Sequence, residues 1–292
     1  ESHAYAYDIK TKDDWKENKI LVISEHQIKK EILDKYYPGL SIREQLVFDR
    51  GWELVNKLNE YISNLNLAQK IAQLFIINLE GYDKYKCFES LNEITHKDTD
   101  KDIPLIPGGY LYFSYNIAPT IDRMKAFNKS VVDFAKENNQ IVPFLAVDQE
   151  GGLVDRLKVL NTPLLLQKRI AETKTVSQAY EIYKSQALFM KDLGFNMNFA
   201  PVMEVCTKEN EDFLLGRSFG SLENVLKFGK SCVNAYEMNN IAAVVKHFPG
   251  NTNTDPHTGL PEILLDKESL FESILPFKEI VSENPTGILM SH

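Results

Sequence analysis

Short apolar runs that each turn polar at their carboxyl ends, separated by long amphipathic stretches, are the feature that most restricts how this chain folds. Six such runs follow Leu67, at residues 74–80, 108–113, 142–150, 195–205, 242–248 and 286–292. Runs that are apolar almost throughout, and not only at alternate positions, read as strands buried on both faces, which is the pattern of a parallel sheet. The stretches between them, at 120–138, 175–193, 221–239 and 267–283, are helical candidates and would supply the crossovers that parallel strands require. The expected fold class is α/β. In such sheets ligands meet the carboxyl ends of the strands, so the polar run ends are where chemistry is expected. No glycine-rich nucleotide fingerprint follows any run, which counts against nucleotide binding.

Residues 1–66 read differently. The first forty are polar and lysine-rich, with a Tyr37-Pro38-Gly39 turn. Ser41 and Glu44 then stand in capping-box spacing, and Val47, Leu54, Val55, Leu58, Tyr61, Ile62 and Leu65 recur at helical intervals. We read 1–66 as an N-terminal extension with one amphipathic helix, its stripe expected against the outside of the main domain, and 67–292 as that domain.

Composition narrows the partners. Of 292 residues 43% are apolar, enough for a substantial core. Lys and Arg number 33 against 41 Asp and Glu, a formal charge of −8, and this acidic balance argues against a phosphate-tracking nucleic-acid surface. Cys87, Cys206 and Cys232 are odd in number and in no metal spacing, so neither a disulfide framework nor structural zinc is implied. No apolar run reaches the roughly 18 residues of a membrane span, and the first residues do not read as a signal peptide. The expectation is a soluble monomer, cytoplasmic in preference to periplasmic, and the absent initiator Met points to a trimmed or processed chain.

Two run ends and one βα loop carry candidate chemistry. Asp148 and Glu150 alternate onto one face, with Gly151 and Gly152 permitting close approach of a ligand or of backbone; a solvated, helix-capping acidic turn is the alternative. Arg156, eight residues beyond Asp148, is placed to fold back over that face. Lys246 and His247 end the fifth run, and Asp255 and His257 follow in Asp-x-His spacing, where a carboxylate can orient an imidazole and raise its pKa for acid/base work. Capping by Asp255 with a merely exposed His257 is the alternative. A metal held by His247, Asp255 and His257 is the weaker reading, because Lys246 adds positive charge beside the cation. Arg217, between Gly216 and Gly220, lies in a βα loop where its planar fork could grip hydroxyls or a carboxylate.

The ordered set LNLAQKIAQLF, IPGGYLYF, AVDQEGGLVDRL, NFAPVMEV, GRSFG and KHFPG followed by DPH resembles the catalytic domain of glycoside hydrolase family 3, and most closely its bacterial β-N-acetylhexosaminidase branch. The resemblance runs from about Leu67 to His292. It implies a TIM-type (β/α)8 barrel cleaving terminal β-linked N-acetylglucosamine with retention, from peptidoglycan or chitin fragments. No metal or organic cofactor is implied. Carried over by motif, Asp148, Arg156, Arg217, Lys246 and His247 hold the sugar, while His257 is the general acid/base and Asp255 its orienting partner. Phosphorolysis, for which a histidine acid/base avoids a further negative charge beside phosphate, is the alternative within the family. A sugar-binding homologue without catalysis is the alternative outside it.

Three departures stand out. The usual H-G-D-T-x-x-D-S-H loop is shortened to Asn251-Thr252-Asn253-Thr254-Asp255-Pro256-His257, losing a His-Gly pair and gaining Pro256. Glu204 replaces the usual Asp of N-F-A-P-V-x-D-V. The family nucleophile is an aspartate after a seventh strand, and six strands are counted here, so no residue shown takes that role. Because closure requires a consistent strand number, tilt and shear, the barrel is expected to be truncated after strand six in this sequence and the chain to be part of a longer product.

Overall fold

A computed structural model describes residues 5–6, 21–22, 35, 42–86, 104–254, 259, 262 and 265–291. The chain divides into two compact units, residues 1–66 and 67–292. In the first, Tyr5–Ala6 pairs antiparallel with Leu21–Val22, and a helix α1 spans Ile42–Asn64, where the spacing predicted one. Its proposed cap, Ser41, lies outside the described residues.

The second unit is built on six strands: β1 Ile76–Asn78, β2 Gly109–Tyr112, β3 Phe144–Val147, β4 Met197–Asn198, β5 Ala242–Phe248 and β6 Gly287–Met290. Each lies inside one of the six apolar runs. They form one sheet in chain order, every neighbouring pair parallel. That order never reverses, and since crossovers are right-handed, an unreversed order places every connecting helix on the same face. The helices follow suit: α2 Leu67–Ala72, α3 Ile121–Glu137, α4 Gln167–Thr173, α5 Val176–Leu193, α6 Glu211–Leu214, α7 Leu222–Glu237 and α8 Lys267–Ile280. The long crossovers pack on one another in sequence, α3 on α5, α5 on α7 and α7 on α8. A one-sided, singly wound parallel sheet is the (β/α)8 architecture, here with six strands, and among the described residues β1 and β6 do not pair.

Local chemistry explains the helix starts. Thr120, Thr175, Ser221 and Asp266 each stand at an N-cap and accept from the backbone N–H three residues on, satisfying a donor the helix leaves open. Thr175 and Gln178 complete a reciprocal capping box. Strand alternation then divides the core. Tyr110, Tyr112, Leu145, Val147, Ala243 and Val245 face the helices and join the main core, in which Tyr112 meets Phe127 of α3 and Phe195 edge-on. Leu111, Ala146 and Val244 face the other way and meet Met197, Phe199 and Leu289 in a smaller inner cluster.

Two runs are longer than their strands, for identifiable reasons. After Asn198, Pro201 has no N–H to give the ladder, and pairing resumes only at a bridge between Val202 and Lys246. After Val147 the chain leaves the sheet at Asp148 and folds into a hairpin of Gln149–Gly151 with Val154–Asp155. The paired glycines serve the approach of backbone: Gly152 N donates to Leu164 O at 2.7 Å, and a Cβ on Gly151 would run into the Leu165 carbonyl oxygen.

Gly151 has φ +100°, and Gly220 a similar +99° with open space where a Cβ would stand. Gly220→Ala therefore tests the cost of the left-handed backbone by itself, and Gly151→Ala adds the collision. We expect Gly151→Ala to be the more destabilising by about 2 kcal/mol, or about 5 °C in Tm, read by thermal unfolding of the two variants.

Candidate active site

The polar ends of β3 and β5 meet. β3 stops at Val147, and Asn198 at the end of β4 fixes the chain beyond it: its Oδ1 accepts from Gln149 N at 2.9 Å and its Nδ2 donates to Gln149 O at 3.1 Å. Gln149 turns away from the site, donating to Asp155 at 2.8 Å and accepting from Leu157 N at 3.0 Å, while the second Asp155 oxygen accepts from Leu164 N at 2.8 Å. Its neighbours Asp148 and Glu150 are thereby directed to the opposite face, as strand alternation requires.

Lys246, 3% exposed, reaches across from β5 and places Nζ 2.6 Å from Asp148 Oδ1 and 2.6 Å from Glu150 Oε1. Arg217 completes the group by donating Nε and an Nη to the two Glu150 oxygens, both at 2.8 Å. Two carboxylates and two cations thus balance. Removing charges from water costs several kcal/mol per ion, and only this mutual pairing with full hydrogen bonding makes a 1% exposed Glu150 side chain tolerable. Burial by itself would raise the Glu150 pKa; the charges of Lys246 and Arg217 and their hydrogen bonds outweigh it and hold the carboxyl at about 2. Arg217 is pushed the other way: burial opposes its charge, but Glu150, and more weakly Glu204 and Asp148, favour it and raise its pKa.

That last coupling joins a second cluster to the first. His247 Nδ1 lies 2.6 Å from Glu204 Oε1, and Glu204 also accepts from Asn251, at 2.6 Å from its backbone N and 2.8 Å from its Nδ2. Arg156 sits on the same strand-end rim but apart: the hairpin returns it to Ser114, just beyond β2, at 3.5 Å, and its buried Nε has no partner among the described residues. A cavity of about 480 Å³ opens on the far side of Glu204, walled by Asn251, Glu262, Asp266 and Glu272 among others, and none of Asp148, Arg156, Arg217, Lys246 or His247 lines it.

Of the residues singled out from the sequence, the fold brings Asp148, Arg217 and Lys246 into one bonded group, sets His247 beside it through Glu204, and leaves Arg156 on the rim. Asp255 and His257 lie outside the described residues. Arg217 does grip a carboxylate, but a protein one, so most of its fork is engaged before any ligand arrives. Sequence reasoning listed neither Glu150 nor Glu204 among the site residues. For Glu150 the alternation with Asp148 was a usable signal; for Glu204 the only signal was its departure from the expected Asp. Among the described residues no group of His, Cys, Asp and Glu is arranged to hold a metal ion, and no helix is long and apolar enough to cross a membrane.

The chain and its fold have clear relatives. The sequence profile of the glycosyl hydrolase family 3 N terminal domain matches residues 66–292, and the chain belongs to that family. Beta-hexosaminidase A of Pseudoalteromonas piscicida is 30% identical over 193 residues, covering 63% of this chain and 32% of that protein. A beta-hexosaminidase of Methylococcus capsulatus is 30% identical over 193 residues, with 63% and 55% covered. A solved family 3 beta-N-acetylglucosaminidase from Paenibacillus sp. superposes with a TM-score of 0.64 at 26% identity, over 77% of this chain and 43% of that one. The chain thus spans between about a third and about half of the length of these relatives.

The depressed Glu150 pKa sets an acid limit. Its folded value lies below the ordinary 4.5, so the stability it contributes is complete above about pH 4.5 and is lost as pH falls toward about 2. In urea titrations, the stability gap between wild type and Glu150→Gln should narrow by about 2 kcal/mol from about pH 6 to about pH 3. An unchanged gap would show that the ion group does not hold the Glu150 proton off.

Proposed function

We propose that this chain carries the sugar site and acid/base of a retaining exo-β-N-acetylglucosaminidase that releases terminal β-linked N-acetylglucosamine from peptidoglycan or chitin fragments. The observation that carries the reading is the convergence of Asp148, Lys246 and Arg217 at the carboxyl ends of β3 and β5, in a fold whose named relatives are hexosaminidases. Asp148 accepts from Lys246 through one oxygen and keeps acceptor capacity for sugar hydroxyls, while the Arg156 guanidinium supplies donors from the rim. Polar groups fixed by ion pairs before the ligand arrives need no reordering on binding, which favours a specific monosaccharide fit.

In this reading His257, oriented by Asp255, protonates the departing glycosidic oxygen and then activates the water that resolves the glycosyl-enzyme. The carboxylate nucleophile that such a mechanism requires is assigned to none of the 292 residues. What supports His257 is the Asp-x-His spacing at the end of a loop whose root, Asn251 to Thr254, is bonded beside the sugar-holding group.

The test is hydrolysis of an aryl β-N-acetylglucosaminide by full-length protein. Wild type should release the phenol, and His257→Ala should lower kcat by about 10²- to 10⁴-fold, the usual contribution of a general acid. Asp148→Ala should act mainly on KM through lost hydroxyl contacts. Equal activity of wild type and His257→Ala would remove His257 from the mechanism, glycosyl phosphate formed only in phosphate buffer would identify phosphorolysis, and calorimetric binding without turnover would identify a pure binder.

A further inference from the structure

Glu204 has no role in that mechanism, yet it is among the most constrained side chains in the molecule. The bridge between Val202 and Lys246, together with the bond from Met203 N to Lys246 O at 2.6 Å, places Glu204 just past the end of β4, beside the end of β5. Its side chain is 1% exposed and accepts three hydrogen bonds, one from His247 and two from Asn251. A carboxylate has only acceptors, so His247 Nδ1 must be the donor, and neutral His247 then carries its lone pair on Nε2. That atom is left to accept from a ligand donor.

Asn251 extends the same construction. Its Oδ1 accepts from Ser291 Oγ at 2.7 Å, and Ser291 N is itself tied to Phe248 O at 2.7 Å, so the residue after Gly250 is held from two sides. Two residues on, Asn253 Oδ1 accepts from Asp212 N and Phe213 N at 2.9 and 3.3 Å, and its Nδ2 donates to Lys208 O at 2.8 Å. The shortened loop therefore starts from an anchored root.

We propose that Glu204 is a positioning residue with two tasks: it holds His247 as the Nδ1–H tautomer, turning Nε2 toward a sugar hydroxyl, and through Asn251 it anchors the loop bearing Asp255 and His257. The second task rests on the reading of His257 as acid/base; the first does not. Both follow from one carboxylate bonded at once to a strand residue and to the loop root, so His247 and the start of that loop share a single fixed point.

The experiment uses the full-length protein. Long-range 1H–15N spectra of ¹⁵N-histidine-labelled wild type, with His247 assigned by its loss in His247→Gln, should show the Nδ1–H tautomer, and Glu204→Gln should convert it to the Nε2–H form or a mixture. For the loop, Asn251→Ala is assayed on phenyl and on 2,4-dinitrophenyl β-N-acetylglucosaminide. Only the phenyl leaving group needs protonation, so its kcat/KM, which reports only the steps up to formation of the glycosyl-enzyme, should fall about tenfold further than that of the dinitrophenyl substrate, whereas general loss of fold would lower both alike. An Nε2–H tautomer in wild type overturns the first task, and equal losses on the two substrates overturn the second. Should wild type cleave neither substrate, the glycosidase reading fails and takes the loop task with it, while the spectra still decide the bond between Glu204 and His247.

Discussion

A lysine ammonium buried between two carboxylates is the interaction on which the site end of this sheet depends. Lys246 extends from β5 to Asp148 and Glu150, which follow β3, so it crosses the two-residue strand β4 lying between them. None of the three would be stable there alone, since an unpaired charge at this depth loses more hydration than local packing returns. Together with Arg217 they form a neutral group that ties two βα connections and strand β5 to one point.

The remaining architecture serves that group. The sheet separates its two faces by strand alternation: Tyr110, Leu145 and Val245 bind the helices, while Leu111, Ala146 and Val244 pack beneath the strand ends where the charges gather. Asn198, Gln149 and Asp155 brace the first turn after β3 by hydrogen bonds, which leaves the side chains of Asp148 and Glu150 to pair with Lys246 and Arg217. Glu204 repeats the device one connection later, with His247 and Asn251 as its donors. There a buried acceptor beyond β4 is satisfied by donors from β5 and the loop that follows it, and so sets the distance between the two chain segments.

Much of this was legible before any coordinates. The six apolar runs contain the six strands, and the four amphipathic stretches contain α3, α5, α7 and α8, because periodicity reports burial and burial follows from the fold's layers. The runs misled only in length, at Pro201 and at Asp148, where the ladder loses a donor or the chain turns away. Asp148 and Lys246 were legible as polar residues ending apolar strands, and Arg217 as a residue of a glycine-flanked βα loop. Glu150 as the centre of the ion group, Gln149 and Asp155 as a hidden brace, and Asn251 and Asn253 as loop anchors were not, because each acts through a partner 6 to 96 positions away.

The sequence by itself determined the layer pattern, the order and direction of the strands, the family resemblance and the cast of polar residues at the strand ends, since all of these are written in local spacing and motif order. Only the tertiary structure decided which of those residues touch. Pairing between Lys246 and Asp148, or between Glu204 and Asn251, is a property of sheet register and loop path, and local spacing carries no record of what lies opposite a side chain across the sheet.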